Sequence, residues 1–537
     1  MASVARATGT KKRVKKKIEE NVVDHSRTVS DRRQFNAHVP INRLPIELLV
    51  EIFHYCRNSE TFLSPFANLT KVCHHWYDLV VNTPGLWAII DLCNSACYSE
   101  SLFRLWLRRT KDIPLHLEAK GELDQDQTTS FNEDIVPDIW HRISSIDVHL
   151  HSRRPNPRNA RTSVTLFTGI PQVPTTFQLR SIHLASLHTT YKFPDTFKHF
   201  KFPVIQTVKL KNAVGNIPLS LLGPTVVELE LGSTGIQSID PIKLIQCLSH
   251  MSSLRVLDIW YMPFRPSLNS TLSPQTISLP RLEQLSLQPP QRDEESYIFL
   301  LSKLHLSGLS QLYLDFRNFV PSHAQFPRLI DTIVALSRNV TFKSLQILDY
   351  SRITVTLWET TIDQDTLDMD DVSNQSFNIH FYYLCPDVLL EEFMYKIDLR
   401  HVEVVHCDLY GGIWRHIIAT SRALKYLSAS SASSAREMLK VLLERGEIGA
   451  YQGTPTPRFI LPALEVIHLA DMSWGNWDKM EKGCPLRDDM VAVLKERMIA
   501  GYPLQKVIIL RSMEMRNEYI DSIRETGVEV EWDGIKN

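Results

Sequence analysis

Long apolar runs are missing from this 537-residue sequence, and no stretch approaches the ~20 apolar residues that a membrane-spanning helix needs. The N-terminal residues also lack the apolar segment of a secretory signal. The eight cysteines are scattered and include no C-x-x-C pair, which disfavours a disulfide framework. We therefore expect reduced thiols, no membrane association and a location in the cytoplasm, the nucleus or both.

An excess of charge of either sign is also missing. The sequence contains 59 Lys and Arg residues against 60 Asp and Glu residues, a formal net charge of -1. The molecule as a whole is therefore not expected to bind polyanions in general. Hydrophobic residues make up 43% of the chain, which provides for a large core and excludes a mostly disordered or collagen-like protein.

Catalytic signatures are absent as well. The sequence has no Gly-rich phosphate loop, no H-E-x-x-H and no G-x-S-x-G, so we expect neither an enzyme nor a bound cofactor. Cys73, His74 and His75, taken with Cys93 and Cys97, match no common zinc-binding spacing. The prediction from the sequence is therefore that the protein has no metal site.

The charge that is present is unevenly distributed. Residues 1–39 hold ten Lys and Arg residues against four Asp and Glu residues. We interpret this segment as a basic, disordered tail, because it has few large apolar residues to bury. The alternative is a nuclear import signal, whereas nucleic-acid binding is not expected because no aromatic residue lies among the lysines. The basic cluster consists of Lys11, Lys12, Arg13, Lys15, Lys16 and Lys17.

Residues 40–92 have the pattern of a small helical module. Pro45 suits the first turn of a helix, and Ser64-Pro65 is a cap-and-proline start for a second helix that ends near residues 82–85. Two short helices bury little surface, so the module should depend on the rest of the chain or on a partner. The apolar residues expected on one face of each helix are Leu48, Leu49, Ile52 and Phe53, and then Leu69, Val72, Trp76, Leu79 and Val80.

The order of several non-equivalent residues in this module resembles an F-box. The residues that carry the resemblance are L-P-x-E at Leu44, Pro45 and Glu47, Ile52-Phe53, V-C-x-x-W from Val72 to Trp76, and P-x-L-W from Pro84 to Trp87. Residues 100–119 look like the helix-then-strand that follows the F-box in many proteins of mushroom-forming fungi. The loop between the two helices is short, and His74-His75 replaces a basic pair common in the family.

The resemblance implies a specific task. F-box modules dock onto a Skp-type adaptor, which hangs from a cullin scaffold that carries a RING subunit, and together these form a ubiquitin ligase. An apolar pair such as Leu44 and Pro45 at the start of a helix is a reasonable interface contact, although both residues could simply brace the helix start. The residues expected to bind the adaptor are Leu44, Pro45, Glu47, Leu48, Ile52, Val72 and Trp76.

The remainder of the chain repeats a short template with apolar residues at its first, fourth and sixth positions. Steps of 26–28 residues in the middle of the array match leucine-rich repeats, although the Asn or Cys expected after each strand is almost never present. A weaker copy is expected at Ile379 and Phe381. The copies begin at Ile143, Leu179, Ile205, Val226, Leu254, Leu282, Leu309, Leu345, Val402, Leu424, Leu464 and Leu504.

These observations together predict an α/β protein. A helix-then-strand linker at residues 93–142 should follow the helical module. Residues 143–537 should then form an irregular leucine-rich-repeat solenoid, a horseshoe of parallel strands with outer helices. Helices are expected at residues 240–251, 329–337, 435–443 and 488–500, and a terminal strand at residues 528–532.

The strand positions between the apolar ones should face outward and could select a target. The alternative to a binding face is local pairing, with Lys209 and Lys211 bonded to Glu228 and Glu230 and the aromatic side chains packed under loops. The candidates for target binding are Trp260, Tyr313, Tyr382, Tyr426 and His380, because exposed aromatic residues often dominate interfaces.

The function predicted from the sequence is therefore the substrate-recognition subunit of a Skp-cullin-F-box ubiquitin ligase. Residues 40–92 would dock the adaptor, and the repeat array would bind a protein target whose identity the sequence does not reveal. Such a subunit performs no bond chemistry and acts through proximity. The alternative is an F-box and repeat scaffold that takes no part in ubiquitin transfer.

Overall fold

The computed structural model divides the chain into two compact units, residues 1–205 with 212–220 and residues 206–211 with 221–537. No helix in the described residues is both long and apolar enough to cross a membrane. The structure describes residues 29–56, 66, 68–93, 100–121, 136–150, 163–165, 177–186, 190–193, 197, 199–211, 213–214, 217–233, 239–265, 276–290, 293–316, 326–338, 340–349, 352–362, 377–382, 387–408, 412–444, 461–472, 485–512 and 515–534.

Helices are distributed along the whole described chain. Residues 29–37 are helical, so the predicted disordered tail does not extend through residue 39, and short 3-10 turns lie at Pro40–Arg43 and Leu69–Lys71. The α-helices are α1 (Ile46–Cys56), α2 (His74–Asn82), α3 (Pro84–Trp87), α4 (Glu100–Thr110), α5 (Val136–Ile139), α6 (Pro241–Ser249), α7 (Glu294–Ser302), α8 (Phe326–Ser337), α9 (Asp387–Lys396), α10 (Gly412–Thr420), α11 (Ala432–Leu443), α12 (Pro485–Ile499) and α13 (Asn517–Arg524).

The strands are mostly short. They are β1 (Ile89–Asp91), β2 (Leu115–Gly121), β3 (Ile143–Leu150), β4 (Ser163–Thr165), β5 (Ser181–Ser186), β6 (Thr190–Lys192), β7 (Thr207–Lys211), β8 (Ala213–Val214), β9 (Glu228–Gly232), β10 (Val256–Trp260), β11 (Ile277–Ser278), β12 (Gln284–Gln288), β13 (Leu304–His305), β14 (Gln311–Phe316), β15 (Ser344–Asp349), β16 (Arg352–Trp358), β17 (Phe377–Tyr382), β18 (Val404–Cys407), β19 (Tyr426–Ala429), β20 (Val466–Ala470), β21 (Lys506–Leu510) and β22 (Glu529–Trp532).

The helices between the strands begin where local signals indicate. Asp240 caps α6 by accepting a hydrogen bond from the Ile242 amide at 3.0 Å, and Pro241 occupies the first turn. Ser431 caps α11 in the same way through the Ser434 amide. The four helices predicted in the array are confirmed to within a few residues as α6, α8, α11 and α12, and the predicted terminal strand is confirmed as β22.

In the first unit, β1, β2, β3 and β5 pair in that order and all in parallel. Leu117, Ile146 and Ile182 occupy the same register and are buried. The helix-then-strand predicted for residues 100–119 is confirmed as α4 and β2. Strand β2 pairs with β3, so the segment predicted as a linker at residues 93–142 contributes a strand to this sheet. Strands β4, β6 and β8 form a separate parallel sheet.

In the second unit, one large and mostly parallel sheet runs in the order β7, β9, β10, β12, β14, β17, β16, β15, β18, β19, β20, β21 and β22. The fourth template positions Leu229, Leu257, Leu285 and Leu312 are direct neighbours across four successive strands, and all are buried. The repeat template therefore predicts the register of these copies correctly. A mixed α/β region with a large parallel sheet thus follows the N-terminal helices.

The strict succession of repeats breaks at residues 344–382. Strands β15, β16 and β17 form an antiparallel meander, so that β17 rather than β15 pairs with β14. The copy predicted at Leu345, Leu348 and Tyr350 is out of frame, because Leu345 and Ile347 are the residues aligned with Val405 and Cys407. The weak copy expected at Ile379 and Phe381 is shifted as well, since Phe377 and Ile379 align with Leu312 and Leu314.

Several outward template positions are buried, contrary to expectation. Asp315, His380, His406 and His468 are each less than a tenth exposed. His406 Nδ1 lies 2.7 Å from the hydroxyl of Ser428, which in turn lies 3.2 Å from His468 Nδ1. A polar network therefore crosses β18, β19 and β20 on this side of the sheet, where the template predicts a solvent-exposed surface.

Candidate functional site

The helical module at residues 40–92 has a small core. Leu49 and Phe53 of α1 are buried, as are Leu79 and Val80 of α2 and Trp87 of α3. The two α1 residues are four positions apart, so they lie on one face of the helix. A module of this size buries little surface, so each of these side chains contributes substantially to its stability.

Trp76 connects three parts of this module. Its ring centroid lies 4.9 Å from that of Phe53 on α1, and its indole nitrogen donates a 2.6 Å hydrogen bond to Asn42 Oδ1 in the 3-10 turn. Asn42 in turn donates to the carbonyl oxygen of Asn36 at 2.7 Å. Trp76 therefore holds the start of the module against its two helices, while part of the ring stays accessible. Asn42 was not among the residues predicted from the sequence.

A second face of α1 is apolar and accessible. Leu48 is 46% exposed, Ile52 is half-buried and Tyr55 is largely exposed. Their spacing of four and three residues places them along one side of the helix, away from Leu49 and Phe53. The four apolar residues predicted on one face of α1 therefore differ in exposure, because Leu49 and Phe53 are buried whereas Leu48 and Ile52 stay accessible.

Val72, which the sequence predicts on the apolar stripe of the second helix and in contact with the adaptor, precedes that helix. It is 57% exposed and lies between the 3-10 turn that ends at Lys71 and helix α2. Cys73 has an extended backbone with φ −160° and ψ 169°, so the helix is interrupted there. Leu69 and Trp76 consequently do not lie on one continuous helix. The helix start predicted at Ser64-Pro65 lies outside the described residues.

The other residues predicted to bind the adaptor are accessible to different extents. Leu44 is half-buried at the end of the 3-10 turn, whereas Pro45 and Glu47 are exposed at the start of α1. The further large apolar residues exposed in this module are Ile41, Ile46 and Tyr77. The module therefore exposes more apolar surface than its own packing requires, which is typical of an interaction site.

A groove of about 420 Å³ adjoins the start of α2. Arg33 and Asn36 of the helical segment at residues 29–37 line it together with His74 and Asp78 of α2. The side chains of His74 and Asp78 contact each other one helical turn apart, and both are exposed. Sequence reasoning missed this groove because it assigned residues 29–37 to a disordered tail.

The module does not end at residue 92. Trp106 of α4 donates a 2.6 Å hydrogen bond from its indole nitrogen to the carbonyl oxygen of Trp87, and Trp87 donates to the carbonyl oxygen of Val80 at 2.7 Å. The Arg109 guanidinium lies 4.3 Å from the centroid of the Trp87 ring, a cation–π contact. Helix α4 therefore contributes directly to the core of the module.

Cys93 follows this core. Burial, reinforced by the nearby charge of Asp91, raises the pKa of its thiol to about 12. The thiol is therefore protonated at neutral pH, as expected for a reduced cysteine in a structural role.

The residues predicted to bind a target do not share one environment. Trp260 is half-buried, with its indole nitrogen 3.3 Å from Glu230 Oε1 and the Lys211 ammonium 5.3 Å from its ring centroid. Tyr426 is half-buried, with its ring centroid 6.0 Å from that of His468. The side chain of Tyr382 lies outside the described residues.

Tyr313 and His380 lie side by side on β14 and β17. Their ring centroids are 5.1 Å apart, and the Tyr313 hydroxyl donates to Asp315 Oδ2 at 3.3 Å. His380 is only 6% exposed, and its Nδ1 lies 3.0 Å from the hydroxyl of Thr354. The expectation of an exposed aromatic side chain is therefore wrong for His380.

The local pairing considered from the sequence is present on β7 and β9. Lys209 bonds to Glu228 at 2.5 Å, and Lys211 bonds to Glu230 at the same distance. These charges satisfy one another between neighbouring strands. The basic cluster from Lys11 to Lys17 lies outside the described residues, so nuclear import stays a prediction.

Comparison with known protein families agrees with the geometry of the helical module. A family model described as F-box-like matches residues 41–93. A search of curated proteins finds no match to the chain. Residues 41–93 therefore form an F-box-like domain, which supports an F-box protein. Such a domain fits a role in binding a Skp-type adaptor, and domains of this class are typically non-catalytic.

Proposed function

We propose that this chain is the substrate-recognition subunit of a Skp-cullin-F-box ubiquitin ligase. The observation that carries the proposal is the accessible apolar surface of a domain that matches an F-box model. The residues proposed to contact the adaptor are Leu44, Pro45, Glu47, Leu48, Ile52 and Val72, with Trp76 holding the surface in shape.

The second unit is the proposed site of target binding. Its parallel strands and the helices between them support an irregular leucine-rich-repeat array, interrupted by the meander of β15 to β17. The proposed contact residues are Trp260, Tyr313 and Tyr426, because each of these side chains is partly accessible. Tyr382 stays a proposed contact residue because it lies at the end of strand β17. His380 would act by packing against Tyr313.

In this role the protein catalyses no reaction itself. Tethering raises the effective concentration of a target lysine near the ubiquitin-loaded enzyme. The adaptor would link the chain to a cullin and its RING subunit, and the basic cluster at residues 11–17 would direct import if the complex acts in the nucleus. The alternative is a scaffold that binds the adaptor without ubiquitin transfer, and recovery of the adaptor without a cullin would favour it.

The decisive experiment measures adaptor binding and folding separately. Replacing Leu44 and Pro45 together by Ala should weaken adaptor binding by about 2 kcal/mol, or about 30-fold, while the melting temperature changes little. Ile499→Ala is the matched control, because this side chain is 78% exposed on α12, outside the F-box-like domain. Binding is measured by surface plasmon resonance and folding by thermal denaturation.

Trp76→Ala distinguishes residues that contact the adaptor directly from residues that stabilise the fold of the module. Losing the ring contact with Phe53 and the hydrogen bond to Asn42 should destabilise the module by about 3 kcal/mol, and adaptor binding should fall because the module opens. A folded Leu44/Pro45 double variant that binds the adaptor at full strength would show that the proposed surface is wrong. The ubiquitin-ligase role would then lose its main support.

A further inference from the structure

Two histidines and an aspartate of the first unit converge on one side of its sheet. Asp147 and His149 are two residues apart on β3, and His183 of β5 is the direct neighbour of Asp147 across the strands. The residues that alternate with them on β3, Ile146 and Val148, are buried. The three polar side chains therefore project from the opposite face of the sheet, where each is about a quarter exposed.

The distances between their ligand atoms are those of a metal coordination shell. Asp147 Oδ1 lies 2.9 Å from His149 Nε2 and 3.1 Å from His183 Nδ1, and the two ring nitrogens are 3.3 Å apart, within hydrogen-bonding distance of each other. Zinc binds imidazole nitrogen and carboxylate oxygen at about 2.0–2.1 Å, so two ligands in a tetrahedral shell are about 3.3 Å apart. Only a few tenths of an ångström separate this arrangement from a zinc-bound one.

The orientation of Asp147 is a second observation. Its Oδ1 is buried and makes no well-aligned hydrogen bond to a described residue, even though both ring nitrogens are close to it. The two imidazole rings are nearly perpendicular, with centroids 4.3 Å apart. Asp147 Oδ1 is thus close to both ring nitrogens but is not aligned to accept a hydrogen bond from either. This geometry is expected when the three atoms are directed at a shared cation.

The charges around the three residues are compatible with a cation. Glu118 of β2 is the direct neighbour of Asp147 on its other side, and it is paired with Lys120 at 2.6 Å. The Lys120 side chain is 62% exposed, so its charge is well solvated. One carboxylate and two imidazoles form a ligand set that suits zinc, whereas calcium and magnesium prefer oxygen ligands alone.

We propose that Asp147, His149 and His183 bind one Zn²⁺ ion, with a water molecule or a side chain of a partner in the remaining position. The spacing analysis of the sequence predicted no metal site, because the two histidines are 34 residues apart and meet only through strand pairing. The proposal is independent of the ubiquitin-ligase role, because its test involves neither adaptor nor target.

The test uses the full-length protein after removal of metal with a chelator. Titration with ZnCl₂ in a calorimeter should show one site per chain, and Co²⁺ should give the visible absorption of a four-coordinate site with nitrogen and oxygen ligands. Asp147→Asn and His183→Gln should each weaken zinc binding by about 100-fold or more, since loss of even an outer-shell partner costs 10–100-fold. His250→Ala is the control, because this exposed histidine lies in the second unit. The control variant should bind zinc with the affinity of the wild type.

Each outcome decides the question. Absence of zinc binding by the wild-type chain, or equal binding by both site variants, would overturn the proposal and leave the three residues as a polar cluster. A strong sulfur-to-cobalt charge-transfer band would assign the metal to cysteines and overturn it too. If a variant fails to fold, as judged by circular dichroism, His149→Gln takes its place, and unchanged zinc binding by that folded variant would overturn the proposal.

Discussion

Trp106 provides a sharp test of the idea that the F-box-like domain depends on the helix that follows it. The side chain is 5% exposed, its nitrogen donates to the Trp87 carbonyl at 2.6 Å, and the two rings meet edge to face with centroids 5.8 Å apart. Trp106→Phe keeps most of the ring but leaves the Trp87 carbonyl without this donor. The expected cost is about 1–3 kcal/mol, the penalty for a buried polar group that loses its partner.

Trp106→Ala should cost more, about 3–5 kcal/mol, because it also empties a large aromatic site. Both costs should appear locally, at residues 79–92, since Trp87 connects Trp106 to α2 through its bond to Val80. Amide hydrogen exchange read by mass spectrometry on the full chain measures this local opening. A loss of 1.4 kcal/mol corresponds to tenfold faster exchange, so Trp106→Phe should accelerate these amides by roughly 5–150-fold.

The matched control for this experiment is Trp140→Phe. The Trp140 ring also packs on an aromatic residue, with its centroid 5.2 Å from that of Phe177, but it lies after β2 rather than beside Trp87. Its replacement should leave exchange at residues 79–92 unchanged. Exchange at the wild-type rate in Trp106→Phe would refute the reasoning, because it would mean that α4 does not stabilise the F-box-like domain.

Two further predictions concern β9 and β10. Burial raises the pKa of Asp258 from 3.8 to about 6, so the contribution of this carboxyl group to stability is full below about pH 4 and is lost as the pH rises through 6. Asp258→Asn should therefore be more stable than the wild type by up to about 3 kcal/mol at pH 7. This difference should disappear at pH 4, as measured by urea denaturation at both pH values. In Gly232→Ala the new Cβ would lie 2.1 Å from the Trp260 ring, so the indole must move, at a cost of about 1–3 kcal/mol in the free energy of unfolding. In the control Gly223→Ala the new Cβ meets nothing within 4 Å, so thermal unfolding should be nearly unchanged. A flat pH dependence of the Asp258→Asn difference, or an equal effect of the two glycine changes, would contradict these assignments.

The local signals in the sequence determined most of the elements. Asp240 and Pro241 start α6 where capping predicts, and the leucines from Leu229 to Leu312 occupy matching register positions because each is the buried residue of a similar short strand. The F-box-like domain was also recognisable from its order of residues alone. Capping and hydrophobic periodicity act within a few residues, so a linear pattern contains the necessary information.

The order of strands was decided by tertiary structure. The template predicts that Leu345 and Leu348 are the first and fourth positions of a copy, whereas the observed strand pairing aligns Leu345 and Ile347 with Val405 and Cys407. Both choices place apolar residues at the buried positions, so the local sequence does not distinguish them. The meander of β15 to β17 depends on which strand pairs with β14, a contact between residues more than 60 positions apart. Pairing of distant strands is cooperative across the sheet and leaves little trace in any single segment.

Tertiary structure alone also determined which side chains are accessible and which ones meet. Leu48 and Leu49 are neighbours of equal hydrophobicity, yet Leu49 is buried and Leu48 exposed, because Leu49 lies on the face that packs inside the module. Asp147 and His183 meet because β3 and β5 pair in one particular register. The sequence specifies the chemistry of each side chain, whereas the packing of distant segments decides which side chains come into contact. Contacts contribute free energy only between groups that the fold brings together.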